Sequence, residues 1–219
     1  MNGILARACG FMREFASRLS IRRETSPVNT FEELCRFVGA RAAFVSQKKL
    51  YGYLKARMGT RYPSMFEDDA FVASVNIAKM QVFAAALSDL TVHAVALVTA
   101  GSQVGAAERN RMARACFRHG VAEHAAQAPD DGSIGEWETA FEKRLADLHW
   151  ENMSVGGDAF TESPAALYEW APIADNLKRL DAEIVTNSIR FAWIEVVRDL
   201  RRRCDASAVR ADYEATSAA

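Results

Sequence analysis

Three intervals of this chain, residues 30–58, 67–100 and 173–203, each read as one unbroken helix of about thirty residues. That repetition constrains the fold more than any other feature. The first interval opens on Thr30 and Glu33, a capping box in which each side chain satisfies a backbone donor of the first turn, and closes at Gly59, which can turn left-handed. The second begins at Glu67-Asp68-Asp69, where the helix dipole favours negative charge, and stops at Gly101. The third carries Ile173, Leu177, Leu180, Ile184, Phe191 and Ile194 on one side. That side is expected to face the core, with Trp193 and Ile194 helping to fill it. At about 1.5 Å per residue these helices span roughly 43–50 Å. Matched lengths joined by short turns pack best as an elongated antiparallel bundle.

Shorter helices fit between them. Residues 104–127 form one, and 134–154 form another with Ile134, Trp137, Phe141, Leu145 and Leu148 at helical spacing. A short one starts at Pro164, introduced by Thr161 and Ser163. With 12 glycines and 5 prolines the chain lacks the turn chemistry of a many-stranded sheet protein. Half of it is hydrophobic and 25% is charged, which excludes wholesale disorder. The expected fold is an all-α bundle of about six to seven helices. Its expected organisation is a basic amphipathic N-terminal helix within residues 1–24, one helical domain over 30–204, and a flexible tail over 205–219.

The net charge of −1 hides an asymmetry. Residues 1–122 carry 17 Lys and Arg against 9 Asp and Glu, whereas residues 123–219 carry 10 against 19. The basic front and acidic back either face each other inside the fold, or one of them serves a partner. The four cysteines, Cys9, Cys35, Cys116 and Cys204, are far apart and form no CxxC pair. Arg7, Arg13 and Glu14 interrupt the apolar residues after Met1, so no signal peptide is expected. Free thiols in a reducing cytoplasm follow.

Residues 80–101 approach the length and apolarity of a membrane span, but Asp89 lies near their centre beside Ser88, Thr91 and His93. A buried core helix, with no transmembrane span, is the expectation. Asp89 and His93 are four residues apart and share a helix face, so the carboxylate could orient the imidazole in a catalytic or metal arrangement. The simpler reading is a polar pair satisfied within the core. His119 and Glu123 repeat that spacing, and His124 and His149 stand singly. No Glu-x-x-His, His-Glu-x-x-His, Gly-x-Ser-x-Gly, P-loop or Gly-x-Gly-x-x-Gly occurs. No cofactor and no metal are expected.

Between Glu33 and Glu67 the chain has no acidic residue but holds Arg36, Arg41, Lys48, Lys49, Lys55, Arg57 and Arg61, interleaved with Tyr51, Tyr53 and Tyr62. Arg111, Arg114 and Arg118 form a second basic stripe. Cations beside aromatic rings suit phosphate contacts, from nucleic acid or anionic headgroups. The alternative is that these residues neutralise the acidic half. Within this stretch, Val45-Ser46-Gln47-Lys48-Lys49-Leu50-Tyr51-Gly52-Tyr53-Leu54 resembles the recognition helix of TetR-type regulators, and Leu34–Gly39 resembles the helix before their turn. Five residues, Ala40–Phe44, stand where that family has a glycine directly before the valine. The resemblance implies a DNA-binding regulator as the alternative function.

Residues 3–21 place Ile4, Leu5, Ala8, Phe11, Met12, Phe15 and Leu19 on one stripe, with Arg7, Arg13 and Arg18 around it. A helix of this composition lies in a membrane interface or a partner's groove, with Phe11 and Phe15 as its docking residues, or turns its stripe to the bundle core. The expected function is therefore a non-catalytic, cytoplasmic interaction or assembly-type protein. Its basic surface would contact an acidic protein partner or the surface of an anionic membrane, and self-association is a further expectation. An enzyme or metal protein built on Asp89 and His93 is the third reading.

Overall fold

In the computed structural model, residues 26–153 and 159–217 are described. The expected N-terminal helix, with Cys9, Phe11 and Phe15, lies outside the described residues. Among the described residues the chain is an all-α bundle. Helix α1 runs over Phe31–Met58. A 3-10 turn at Gly59–Arg61 leads into the one-turn helix α2, Tyr62–Met65. Then follow α3 (Asp69–Val98), α4 (Ala106–His124), α5 (Ser133–Ala146), α6 (Glu162–Trp170), α7 (Asp175–Arg203) and α8 (Ala206–Ser217).

The three long helices have 28, 30 and 29 residues, and their ends follow the local chemistry read from the sequence. Glu33 N–H donates to Thr30 Oγ1 at 3.2 Å, while Thr30 N–H donates to Glu33 Oε2 at 3.0 Å, so the capping box closes in both directions. Asp68 caps α3 by accepting from Ala70 N–H at 2.9 Å. Gly59 and Gly101 have φ of 54° and 68°, backbone that glycine adopts without a Cβ penalty.

Helix α3 is the axis of the bundle. Almost every residue from Met80 to Val98 is buried, and the helix packs against α1, α4, α6 and α8. It is long and apolar enough to cross a membrane by length and composition, and 83% of its apolar window is buried against the rest of the molecule. A helix that is hydrophobic all round needs such neighbours on every side.

Alanines and glycines let the helices approach closely. A Cβ on Gly120 of α4 would stand 2.6 Å from Leu87 Cδ1 of α3. Leu87 is fully buried, so it has little room to yield. Gly120→Ala is expected to lower stability by about 1–3 kcal/mol, despite the better helix propensity of alanine, and urea unfolding reads it directly.

Two expectations about the ends of helices need correction. Residues 206–217 form α8 instead of a flexible tail. Asp205 caps it, accepting from Ser207 N–H at 3.0 Å and Ala208 N–H at 3.1 Å. Val209 is buried, the Tyr213 ring meets Phe31 edge-on at 4.7 Å, and Asp212 accepts from Phe31 N–H at 2.8 Å. Two apolar side chains and one carboxylate dock a segment whose small polar residues gave little sign of packing. Helix α5 ends at Ala146, eight residues before the expected 154. Beyond it a 3-10 turn, Trp150–Asn152, buries Trp150, whose indole donates to Asn110 Oδ1 at 2.9 Å.

The third correction concerns α7. Trp193 is buried, as expected, but Ile194 is 52% exposed, and Leu180, Ile184 and Phe191 are 75%, 72% and 68% exposed. The core side is formed instead by Val185, Ile189, Trp193, Val196 and Leu200. At about 100° per residue the two sets point in nearly opposite directions. Helix α7 thus has two apolar faces, and the one with more large aliphatic residues faces solvent.

Candidate functional site

Asp89 is fully buried and every contact to its oxygens comes from a donor. Arg144 Nη1 of α5 donates to Oδ1 at 2.8 Å. Glu162 N–H donates to Oδ1 at 3.1 Å, Ser163 N–H to Oδ2 at 2.8 Å, and Ser163 Oγ to Oδ2 at 2.6 Å. Burial pushes the carboxyl pKa up, while Arg144 and the Ser163 donors oppose the shift. The site is built for the carboxylate. Arg144 also donates to Ser88 Oγ at 2.7 Å and to the Ala159 carbonyl at 2.7 Å, and the Trp193 indole donates to Ser163 Oγ at 3.0 Å. Asp89 therefore caps α6 from a different helix and ties α3, α5, α6 and α7 together.

His93 does not join Asp89. Its Nδ1 donates to the Met153 carbonyl at 3.1 Å, its ring packs on Phe160 at 5.3 Å, and its Nε2 is buried without a partner. The expected carboxylate–imidazole pair is not formed, because both Asp89 oxygens are taken by α5 and α6 donors. His119 Nδ1 lies 3.9 Å from Glu123, beyond hydrogen-bond reach. Among the described residues no group of three His, Cys, Asp or Glu side chains could hold a metal ion.

Burial pushes the His93 pKa down to about 4, so the ring is neutral in the fold. The unfolded chain takes up a proton near pH 6.5, the ordinary histidine value, and the folded chain only near 4. Stability from this group is full above pH 6.5 and is lost as pH falls toward 4. His93→Phe is expected to flatten the stability-versus-pH curve across that window, as measured by urea unfolding at a series of pH values.

The basic stretch meets the acidic half inside the fold. Arg41 pairs with Asp199 at 2.9 Å, and Arg57 forms a two-toothed pair with Asp181, which also accepts from Tyr53 Oη at 2.9 Å. These contacts join α1 to α7 in antiparallel register. Arg114 pairs with Glu142 at 2.7 Å, Arg118 with Glu138 at 3.4 Å, and Arg111 with Glu108. Tyr51 is buried, and its pKa is pushed up to about 12 by desolvation. Lys48 stands over the Phe44 ring at 5.3 Å, and Lys48, Lys55 and Arg61 face solvent, with Lys49 half-buried. These four have no ion pair among the described residues. Arg41, Arg57, Arg114 and Arg118 thus pair with carboxylates of the acidic half, Arg36 and Arg111 pair within the basic half, and the remaining cations of the stretch stay at the surface.

The TetR-like pieces, Leu34–Gly39 and Val45–Leu54, lie within the single uninterrupted helix α1. There is no turn between them, and Val45, Leu50, Tyr51 and Leu54 are buried, so they form no helix-turn-helix.

The surface feature that sequence reasoning oriented wrongly is the outer face of α7. Leu177, Leu180, Ile184, Phe191 and Ile194 are spaced by three, four, seven and three residues, a coiled-coil seam with Asn187 at the intervening position. Trp170, at the end of α6, is 41% exposed. Side chains of this size rarely line one side of a solvated helix without a partner. The shallow depression between α4 and α5, lined by Arg114, Phe117, Glu138 and Glu142, offers no comparable surface. No family of known proteins, characterised protein or solved structure matches this chain.

Proposed function

We propose that this is a non-catalytic helical interaction protein whose contact surface is the outer face of α7. The supporting observation is the exposure of Leu180, Ile184 and Phe191, at 75%, 72% and 68%, in a seam along a helix whose opposite face already anchors it in the core. A partner that fits is an amphipathic helix with apolar residues at three- and four-residue spacing. Glu183, Arg190, Glu195 and Arg198 on the same exposed side would set its register. Solvent-facing Lys48, Lys55 and Arg61 add a positive field that favours an acidic partner.

The test compares the wild-type chain with Leu180→Asp/Ile184→Asp/Phe191→Asp by cross-linking mass spectrometry in the cells that make it. Loss of a reproducible set of cross-linked proteins, with an unchanged circular dichroism spectrum, is the expected result. An identical set from both chains would move the contact surface elsewhere.

A further inference from the structure

We infer that Cys35 of α1 and Cys116 of α4 are a paired dithiol that a small-molecule disulfide oxidises to an intramolecular disulfide, stapling the two helices together. The inference does not depend on the reading of α7.

The first observation is how closely the two backbones approach. Helix α1 packs against α4, and a Cβ placed on Gly39 of α1 would stand 3.5 Å from the Gly120 Cα of α4. Glycine on both sides removes the side chains that would hold the helices apart. Cys35 precedes Gly39 by one helical turn, and Cys116 precedes Gly120 by the same turn. Each cysteine therefore lies on the face of its helix that carries the close contact. The two thiols meet there and share a hydrogen bond. A disulfide asks for Cα atoms about 4.4–6.8 Å apart, a range that helices packed through glycine reach.

The second observation is enclosure. Cys35 is 2% exposed, and Cys116 is fully buried. The hydrogen bond to Cys116, burial and the nearby Glu123 charge push the Cys35 pKa up, so that thiol stays protonated at neutral pH. A protonated, enclosed thiol exchanges slowly, and the first attack waits for α1 and α4 to part. Then one cysteine gives its proton to water, and its sulfur attacks the small disulfide and releases one thiolate. The other cysteine, held on the neighbouring helix, outcompetes any free thiol for the mixed disulfide. It gives up its proton, attacks the protein sulfur of that bond and expels the second thiolate, and the two thiolates take up the two protons. Two protein thiols are oxidised to one S–S bond, and one small disulfide is reduced to two thiols. The bond closes a loop of about 80 residues, which restricts the unfolded chain and favours the folded one.

Peptide mapping of the full chain tests this. The folded protein is incubated with oxidised glutathione, quenched with acid, alkylated, digested and read by mass spectrometry. The peptide joining Cys35 to Cys116 is expected to outnumber every other cysteine pairing by at least about tenfold. The oxidised chain is expected to unfold at a higher urea concentration than the same chain after reduction, and Cys35→Ala and Cys116→Ala should each abolish that difference. Recovery of both cysteines as free thiols or separate glutathione adducts, from a chain that keeps its circular dichroism spectrum, would overturn the inference. So would pairing of either one with Cys9 or Cys204 in its place. A bond between Cys35 and Cys116 that leaves the urea midpoint unchanged or lowers it would overturn the staple, because the bond would then form only by displacing the packed helices.

Discussion

Asp89→Ala is expected to destabilise the protein by about 3–5 kcal/mol, the cost of leaving a buried charge without its partner. Arg144 is 11% exposed, and its guanidinium would keep only Ser88 and the Ala159 carbonyl. The first amides of α6 would lose their acceptor at the same time, as would the Ser163 hydroxyl. Arg144→Met should cost a similar amount, because it leaves the buried carboxylate without its counter-charge, with only the Glu162 and Ser163 donors remaining. The double variant Asp89→Leu/Arg144→Met should recover the part of either loss that comes from the unpaired charge, while the α6 amides and the Ser163 hydroxyl still lack their acceptor. Urea unfolding of the three variants checks all of this. Single losses below about 1 kcal/mol would mean that the network does not hold α6 in place.

The second large effect separates two adjacent residues. Trp193→Ala should cost about 3–5 kcal/mol, because it empties a fully packed site and removes the ring stacked on Phe160 at 5.0 Å. Ile194→Ala should change stability by no more than about 1 kcal/mol, because the side chain is already half in solvent. Thermal or urea unfolding reads the difference.

Much of the helix layout could be read from local chemistry. Thr30, Glu33, Asp68, Gly59 and Gly101 act within a turn of their own position, so the sequence carries their meaning directly. Which face of α7 turns inward could not be read that way. Both faces satisfy a helical period, and the choice is made by what α1 and α6 present to it, above all Ser163, with Phe160 just before α6, waiting for Trp193. The Asp89 node was half legible. A lone carboxylate inside an apolar run announces a buried polar partner, but nothing local to Arg144, 55 residues away, identifies it as that partner. His93 stands apart from Asp89 because helical spacing shows which side chains can meet, whereas competing donors decide which do. The basic stretch was visible as composition, yet its pairing with Asp181 and Asp199 depends on α1 and α7 lying antiparallel.

The contact reading requires that the outer face of α7 be dispensable for folding while the inner face is not. An alanine scan along α7 of the full chain, read by urea unfolding, tests this most directly. The account predicts losses of about 2–5 kcal/mol at Ile189, Trp193 and Leu200. It predicts changes within about 1 kcal/mol at Leu180, Ile184 and Phe191. Losses at those three that match Ile189→Ala would contradict it, because the seam would then be part of the folded core.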